Sequence, residues 1–504
     1  MIAHMTKVLD NNLEEALEIE CQGINYGYYD WDIMYTTDIN FAQPLSLAVP
    51  APPSLSDPPD FVGSATEDNG ANEFSETNNQ VAGVDEADFI KNDGAYIYIL
   101  ADNKFKIIDA WPPENASVIS QFDIQGTPKK LFVHNNRAVI YSSLNNLKIN
   151  NNLSNEECTY GYSCEFTGDG KQLKITILDI SDKRDPQLVR ELFFNGSYIN
   201  SRRIDNAVYS VILFPEPSIR GVYYDPGLSY CESDFTCNYS HDFFCDDWWC
   251  RRCYWYSYKR YTDQEIIDAF ESLKQKNILR IMSADLSSFR PTVRDVRYID
   301  GQVIEEETPI SELDEIHFSG QQDGMNFISI FSFDIDDIES RQSVSVVGKP
   351  GAVYASSTAC YIASRHDKDP YLPWWFSFRF WESADQVTTI HKFNLKKNPA
   401  QSFYAGSGAV KGRVLNQFAM DEHKGFLRIA TTSGYTPSPL AHSILTVLEE
   451  SISGDLVPVG KIDNIAPSED IRSVRFNRDK GFIVTFKKTD PLFAIDLSNP
   501  YSPS

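Results

Sequence analysis

The chain has 504 residues, of which 42% are hydrophobic and 13% aromatic, so it is long and apolar enough to build a large core. Asp and Glu number 71 against 45 Lys and Arg, which gives a formal net charge of −26. A surface this acidic repels phosphate backbones and argues against nucleic acid as a partner. The sequence contains no apolar run of about 18 residues, the length that a membrane-spanning helix requires, so we expect no membrane span.

The N-terminal part divides into two segments. Residues 1–41 begin with MIAHMTKVLDNNLEEALEIE, whose apolar spacing predicts a short amphipathic helix in an otherwise irregular segment. Residues 42–80 are rich in Pro, Ser and Asn and lack apolar periodicity, which is typical of an extended linker.

From residue 81 onwards, short strand-type runs separated by polar turns recur along the chain. Five four-part units can be superposed; the first reads FKIIDA, SVISQFDI, KKLFVH and NNRAVIYSS, and the fifth reads SILTVLEE, LVPVGKI, IRSVRFN and KGFIVTFK. The later units open about 50 residues apart, near Thr388, Ser443 and Leu492, a period typical of four-stranded propeller blades. The sequence therefore predicts an all-β fold, a β-propeller that spans residues 81–504.

The repeats leave half a unit at each end. NDGAYIYIL resembles the closing half of a unit, and DPLFAIDLSNPYSPS resembles the opening strand of another. We therefore expect five full blades plus half-blades at each end. Either the halves combine into a sixth blade, or the propeller is C-terminally truncated. The second alternative predicts that residues 492–497 form an unprotected edge strand.

Two polar stretches interrupt the repeat, at about residues 145–172 and at residues 214–326. The second is a large, Cys-rich insertion within the propeller that we expect to be partly helical. Its helix is predicted from YTDQEIIDAFESLKQK, in which Thr262 and Glu265 form a capping box. The residues that share one face of this helix are Ile266, Ile267, Phe270 and Leu273.

Three stretches carry a resemblance to a known family: ETNNQVAGVDEADFIKNDGAYIYIL, GRVLNQFAMDEHKGFLRIATTS and IRSVRFNRDKGFIVTFKKTDPLFAIDLSNP. They resemble motifs of secreted, uncharacterised bacterial and archaeal proteins whose beta-propeller is distantly related to WD40 repeats. The resemblance implies a propeller fold and an extracellular or cell-surface location, and it supplies no catalytic residues. Members of this family continue past the position that matches Ser504, which favours the truncated alternative.

Five of the nine cysteines lie in the insertion, in CESDFTCNYSHDFFCDDWWCRRCYWYSYKRY. Export, which the resemblance implies, favours disulfide bonds. The disulfide candidates are Cys158, Cys164, Cys231, Cys237, Cys245, Cys250 and Cys253. The alternatives are free thiols or a zinc site, although the spacing matches no standard zinc motif. The ligands of that zinc site would be His241, Cys245, Cys250 and Cys253.

Aromatic residues crowd the same stretch. The binding candidates are Trp248, Trp249, Tyr254, Trp255 and Tyr256. Exposed on a stapled loop, they would form a recognition patch for a protein or glycan partner. Alternatively, they form a satellite core that packs the insertion against the propeller. A second aromatic run, residues 371–381, is a wide loop on the same face or an edge that packs against the insertion.

Clusters of carboxylates raise the hypothesis of a calcium site. The first cluster holds Asp85, Glu86, Asp88 and Asp93, and the second holds Asp334, Asp336 and Asp337; neither follows the EF-hand pattern. One Asp recurs at the turn after the first strand of several units, at Asp109, Asp179, Asp334 and Asp496. This recurrence predicts turn chemistry, in which the carboxylate bonds its own backbone. We therefore predict no metal centre and no cofactor, with zinc and calcium as alternatives.

The sequence contains no G-x-S-x-G, H-E-x-x-H, P-loop or dinucleotide-binding fingerprint. We therefore assign no catalytic residue and predict a non-enzymatic extracellular or cell-surface module that binds or scaffolds a protein or glycan. The alternative is a propeller enzyme, a hydrolase or oxidoreductase, whose site is assembled from several blades at the mouth of the central channel.

Overall fold

The computed structural model describes residues 2–19, 79–144, 166–216, 219–239, 251–285, 290–319, 324–366, 386–434, 438, 440–486 and 491–504. Two helices, α1 (Ile2–Glu18) and α2 (Asp263–Ser283), and thirty strands lie in this part of the chain. The chain divides into two compact units. The large unit contains Met1–His4, Asn69–Arg220 and Ile281–Ser504, and the small unit contains Met5–Asp68 and Gly221–Arg280.

The strands are numbered in chain order. The first are β1 (Asp85–Glu86), β2 (Ile90–Asn92), β3 (Tyr96–Ala101), β4 (Lys104–Asp109), β5 (Ser117–Asp123), β6 (Thr127–His134) and β7 (Arg137–Leu144). The next are β8 (Gln172–Asp179), β9 (Gln187–Phe194), β10 (Ser197–Ile204), β11 (Ala207–Phe214), β12 (Cys231–Tyr239), β13 (Arg251–Lys259), β14 (Thr292–Ile299) and β15 (Gln302–Pro309). They are followed by β16 (Ile316–Phe318), β17 (Asn326–Asp334), β18 (Gln342–Gly348), β19 (Ala352–Ala355), β20 (Ala359–His366), β21 (Val387–Lys397) and β22 (Ala400–Lys411). The last are β23 (Arg413–Val414), β24 (Met420–His423), β25 (Phe426–Ser433), β26 (His442–Glu450), β27 (Leu456–Ile465), β28 (Asp470–Asn477), β29 (Lys480–Phe486) and β30 (Leu492–Asp496).

Six sheets make up the large unit and are numbered here along the chain. Sheet 1 has the order β2-β3-β4-β5, and sheet 2 has the order β6-β7-β8-β9-β14-β15. Sheet 3 has the order β1-β10-β11-β17-β18-β16, and sheet 4 has the order β19-β20-β21-β22. Sheet 5 has the order β23-β25-β26-β27 with β24 also paired to β25, and sheet 6 has the order β28-β29-β30. Among these strands only β16 and β18 pair in parallel.

The sheets group the strands differently from the sequence units. The first unit supplies β4 and β5 to sheet 1 but β6 and β7 to sheet 2, and the fifth unit is split between sheets 5 and 6 in the same way. The prediction of five full blades with half-blades at each end is therefore wrong. The boundaries of the observed sheets are displaced by two strands from the boundaries of the predicted units. The physical reason is that the link between sheets 1 and 2, residues 124–126, is as short as a hairpin loop, so spacing alone does not mark where one sheet ends.

The core consists of apolar clusters between successive sheets. Five such clusters join sheet 1 to 2, 2 to 3, 3 to 4, 4 to 5 and 5 to 6. In β11 all eight residues are buried; Val208 and Ile212 belong to the cluster facing sheet 2, and Tyr209 and Val211 to the one facing sheet 4. Burial on both faces explains why such strands read as continuous apolar runs rather than alternating ones.

Part of the predicted insertion returns to the sheets of the large unit, because β14 and β15 extend sheet 2 and β16 extends sheet 3. A buried ion pair fixes β14 against β9. The Arg190 guanidinium donates two hydrogen bonds to the Asp295 carboxylate, at 2.9 and 2.7 Å, and both side chains are fully buried. A third hydrogen bond, of 3.0 Å, runs from Arg190 to the carbonyl oxygen of Ser340.

The small unit contains the hairpin β12–β13 and most of both helices. The predicted capping box is confirmed: the Glu265 carboxylate accepts from the Thr262 backbone N–H at 2.8 Å, and the Glu265 N–H donates to Thr262 Oγ1 at 3.3 Å. The predicted apolar face is also confirmed, since Ile266, Phe270 and Leu273 are buried. None of the described helices is long and apolar enough to cross a membrane.

The strand β30 lies at the edge of sheet 6, as the sequence predicts. On its outer side Asp496 exchanges two backbone hydrogen bonds with Ser504, at 2.6 and 3.0 Å. Leu492, at the other end of the strand, is 62% exposed. The edge is therefore partly covered by the last residues of the chain.

Candidate functional site

The first strands of neighbouring sheets enclose a cavity of about 210 Å³, which we call the inner cavity. Its wall is built by β6 of sheet 2, β10 of sheet 3, β19 of sheet 4 and the 3-10 turn Gln417–Ala419 of sheet 5. The polar side chains of the wall are Glu86, Lys130, Tyr198, Asn200, Arg202, Asn416 and Gln417. A site of this kind needs several sheets and leaves no linear motif.

The short strand β1 brings Glu86 to the cavity. It pairs with the free edge of β10, with Asp85 opposite Arg203 and Glu86 opposite Arg202. The Gln80 side chain ties the preceding segment to sheet 5 by donating to the carbonyl oxygens of Gln417 and Met420, each at 3.1 Å. This segment thus connects sheets 3 and 5 at the cavity.

Backbone irregularities shape two walls of the cavity. The pairing of β6 shifts register between Pro128 and Lys130, and that of β10 shifts between Tyr198 and Asn200. Such bulges re-aim the neighbouring side chains. Gly168 has a φ of +70°, and a Cβ there would lie 2.7 Å from the Tyr198 carbonyl oxygen, so only glycine fits this close approach.

Arg202 is the central charged group of the wall, and its side chain is 5% exposed. It donates to Gln417 Oε1 at 2.8 Å and to the carbonyl oxygen of Ser201 at 2.8 Å. The Glu86 carboxylate lies 3.6 Å from Arg202 Nη2, which is longer than a charge-assisted hydrogen bond. Glu86 also accepts from Gln417 Nε2 at 3.4 Å. Arg202 is therefore held mainly by neutral acceptors.

Lys130 is the second cation of the wall and is half-buried. Its ammonium forms no ion pair with any residue that the structure describes, whereas Lys129, the next residue, pairs with Asp169 at 3.2 Å. Apolar surface completes the wall through Phe166, Val353 and Phe418. The Asn416 side chain fixes the turn that carries Phe418 by accepting from the Phe418 N–H at 3.0 Å.

The first predicted carboxylate cluster does not converge on one point. Asp85 pairs with Lys91 at 2.6 Å and with Arg203 at 3.0 Å. Asp88 accepts from the next backbone N–H, and Asp93 accepts from two backbone N–H groups and from the Tyr98 hydroxyl. Each carboxylate therefore has its own structural partner, and no group of three metal-ligating side chains occurs among the described residues.

The predicted turn chemistry of the recurring Asp is confirmed at three positions. Asp179, Asp334 and Asp496 each accept a hydrogen bond from the backbone N–H two residues further on, at 2.8 to 2.9 Å. These carboxylates close the turn after a sheet strand. The second cluster, which contains Asp334, is thereby part of a turn, and Asp337 bonds Glu339 N–H in the same way.

The aromatic and cysteine candidates lie partly outside the described residues. This holds for Cys158, Cys164, Cys245, Trp248, Trp249 and Cys250, for the zinc candidate His241 and for the aromatic run 371–381. The others belong to the hairpin, where Tyr254, Trp255 and Tyr256 are consecutive in β13. Cys231 begins β12, and Cys237 is in register with Cys253 across the two strands. Of the candidates, the hairpin therefore carries the three cysteines Cys231, Cys237 and Cys253 and the aromatic positions 254–256.

Sequence reasoning missed Lys130, Arg202 and Gln417, because no local pattern marks them. One signal was present: two of the three motifs of the family resemblance line the cavity, and the third contacts one of the lining residues. The first supplies Glu86 and the second supplies Gln417. The third supplies Arg475, whose guanidinium lies 5.1 Å from the centre of the Phe418 ring.

Sheets of mainly antiparallel strands, packed in succession with an apolar cluster between each neighbouring pair, define the class as a propeller. The sequence matches the beta propeller domain family over residues 74–504, so the chain belongs to that family. It is 27% identical over 447 residues to an uncharacterised protein of Methanocaldococcus jannaschii, a match that covers 85% of this chain and 61% of the relative. It is 26% identical over 462 residues to an uncharacterised protein of Archaeoglobus fulgidus, covering 85% of this chain and 62% of the relative. The chain thus spans less than two thirds of the length of these relatives. The family match confirms the predicted family resemblance.

Proposed function

We propose that the chain is a non-enzymatic binding or scaffolding module of the cell exterior, and that the hairpin β12–β13 recognises a protein or glycan partner. The observation that carries the proposal is the run of aromatic positions in β13 that ends at Tyr258, whose side chain is 51% exposed. Positions 254, 256 and 258 share one face of the strand, because a strand alternates its faces. Exposed aromatic rings are typical anchors of binding surfaces.

We further propose that disulfide bonds staple this hairpin. A two-stranded hairpin alone is marginally stable in water, so an exposed one requires additional support. Cys231, at the start of β12, is the first candidate for such a bond. The register of Cys237 with Cys253 makes these two residues a second candidate pair. Disulfides persist in oxidising surroundings, which supports the proposed location outside the cell.

The alternative, an enzyme with a site among the blades, receives less support. The inner cavity carries one carboxylate, Glu86, and that group lies against Arg202 and Gln417. General acid–base chemistry requires groups whose proton affinities are matched to the reaction, often a His or a pair of carboxylates. The described lining contains no histidine and no second carboxylate, and its Tyr198 hydroxyl is bonded to Ser201.

The proposal is tested with purified wild-type chain, Tyr256→Ala, Tyr258→Ala and the control Phe318→Ala on a glycan array and on blots of cell-envelope proteins. Phe318 is a suitable control because it is 66% exposed and belongs to the large unit. We expect specific binding by the wild type, a loss of about tenfold or more in the tyrosine variants, as for interface hot spots, and full binding by Phe318→Ala. Absence of binding, or equal binding by all four proteins, would contradict the proposal. Circular dichroism confirms that each variant is folded.

A further inference from the structure

The inner cavity departs from the acidic character of the whole chain. Its lining contains two cations, Lys130 and Arg202, against the single carboxylate Glu86, so one net positive charge remains. Glu86 forms an ion pair with Arg202 at 3.6 Å, so the cation left without a carboxylate partner among the described residues is Lys130. In a chain with a formal charge of −26, a half-buried ammonium without an ionic partner among the described residues is a natural counter-charge for an anion.

The remaining lining defines the shape and chemistry of that anion. At about 210 Å³ the cavity is smaller than the range of about 300–1,000 Å³ usual for drug-sized ligands. Phe166 and Phe418 provide an apolar wall, and Asn200 and Asn416 provide side-chain amides. This combination fits a monoanion with one apolar group of the size of a single ring.

We propose that the inner cavity binds a small carboxylate that carries an apolar group, with Lys130 as the counter-ion and Phe166 and Phe418 as the apolar wall. Glu86 favours a monoanion over phosphate, because a second negative charge would face this carboxylate. The same chemistry is presented by a free organic acid and by the C-terminus of a peptide that ends in an aromatic residue. The proposal concerns the large unit and is independent of the hairpin.

The test is isothermal titration calorimetry of the full chain with phenylacetate, with its neutral analogue phenylacetamide and with inorganic phosphate. A second pair of probes, N-acetyl-glycyl-phenylalanine and its C-terminal amide, distinguishes a peptide terminus from a free acid. The variants are Lys130→Gln, which removes the charge, and Lys130→Arg, which retains it. Lys104→Gln is the matched control, since Lys104 pairs with the exposed Asp123 on the surface of sheet 1.

We expect at least one carboxylate probe to bind, and Lys130→Gln to weaken its binding about tenfold or more, as for the loss of one charged hydrogen-bond partner. Lys130→Arg and Lys104→Gln should bind like the wild type. Binding by the peptide acid alone also supports the proposal and identifies a chain terminus as the ligand. The proposal is overturned if no carboxylate binds, if the amides bind equally well, if phosphate binds in place of the carboxylates, or if Lys130→Gln binds normally. Any of these results leaves the proposal for the hairpin untouched.

Discussion

The buried histidine His391 makes the stability of sheet 4 sensitive to pH. His391 in β21 is 1% exposed, and its Nδ1 lies 3.0 Å from the hydroxyl oxygen of Tyr404. Burial, with a smaller contribution from His366, lowers the pKa of His391 to about 4. His317 stacks on the ring of Tyr404, with ring centres 4.4 Å apart. The site therefore favours a neutral imidazole.

This environment predicts a loss of stability in mild acid. Between about pH 6.5, the ordinary pKa of histidine, and about pH 4, the unfolded chain binds a proton at His391 that the folded chain does not. The free energy of unfolding therefore falls as the pH is lowered through this window, by about 3 kcal/mol in total. Above the window the neutral form prevails in both states and the contribution is constant.

The measurement is urea unfolding of the wild type and of His391→Gln at several pH values from 7 to 4. The wild type should lose about 3 kcal/mol more than the variant over this range, because glutamine does not titrate. His423→Gln, at a half-buried position beside Asp479, controls for the removal of a histidine elsewhere. Parallel curves for the wild type and His391→Gln would contradict the assignment of the effect to His391.

At the scale of elements, the Arg190–Asp295 pair secures the strand that extends sheet 2. Removing one partner leaves the other charge buried and uncompensated, so Asp295→Asn should lower the free energy of unfolding by about 3–5 kcal/mol. The double variant Arg190→Met with Asp295→Leu removes both charges and should cost less than the single change. The control Lys104→Gln disrupts an exposed ion pair and should have little effect.

The measurement is the urea midpoint of the wild type, of Asp295→Asn, of the double variant and of the control Lys104→Gln. A double variant that is less stable than Asp295→Asn would show that the pair contributes more than the relief of two buried charges. A single variant as stable as the wild type would show that β14 is held by its backbone pairing with β9 and β15 alone. Either result would contradict the account of this strand.

The strands and turns were predictable from sequence, whereas their grouping was not. Strand runs such as AVYSVILF are apolar throughout because β11 is buried on both faces. The recurring Asp was predicted correctly at Asp179, Asp334 and Asp496, since an Asx turn depends only on the next two residues. The boundaries between sheets were predicted wrongly, because the links that join one sheet to the next are as short as the links between strands of one sheet.

The inner cavity could not be predicted from the sequence either. Its wall joins residues that are distant in the chain: the Gln417 amide contacts Glu86 across 331 positions. The motif that contains Asp85 and Glu86 left a calcium site open as an alternative, whereas the structure places an arginine or lysine beside each of the two carboxylates. Only the fold shows that the excess charge at the cavity is positive.

At the scale of the whole molecule, the oxidation state of the cysteines bears on the proposed location outside the cell. With nine cysteines, at least one lacks an intramolecular partner. Cys360 is such a thiol: it is buried in the core between sheets 3 and 4, and burial raises its pKa to about 12. A core thiol of this kind is inert, because the reactive thiolate is suppressed. In the proposal, Cys231 at the start of the hairpin β12–β13 is in the opposite, disulfide-bonded state.

Mapping the cysteines by mass spectrometry tests this account most directly. The full chain is produced in an oxidising compartment, alkylated in denaturant without reduction, and compared with a sample that is reduced first. We expect Cys360 to be alkylated in both samples and Cys231 only after reduction, together with the cysteine that pairs with it. Alkylation of all nine cysteines without reduction, with zinc bound to the native protein, would contradict a disulfide-stapled binding module of the cell exterior.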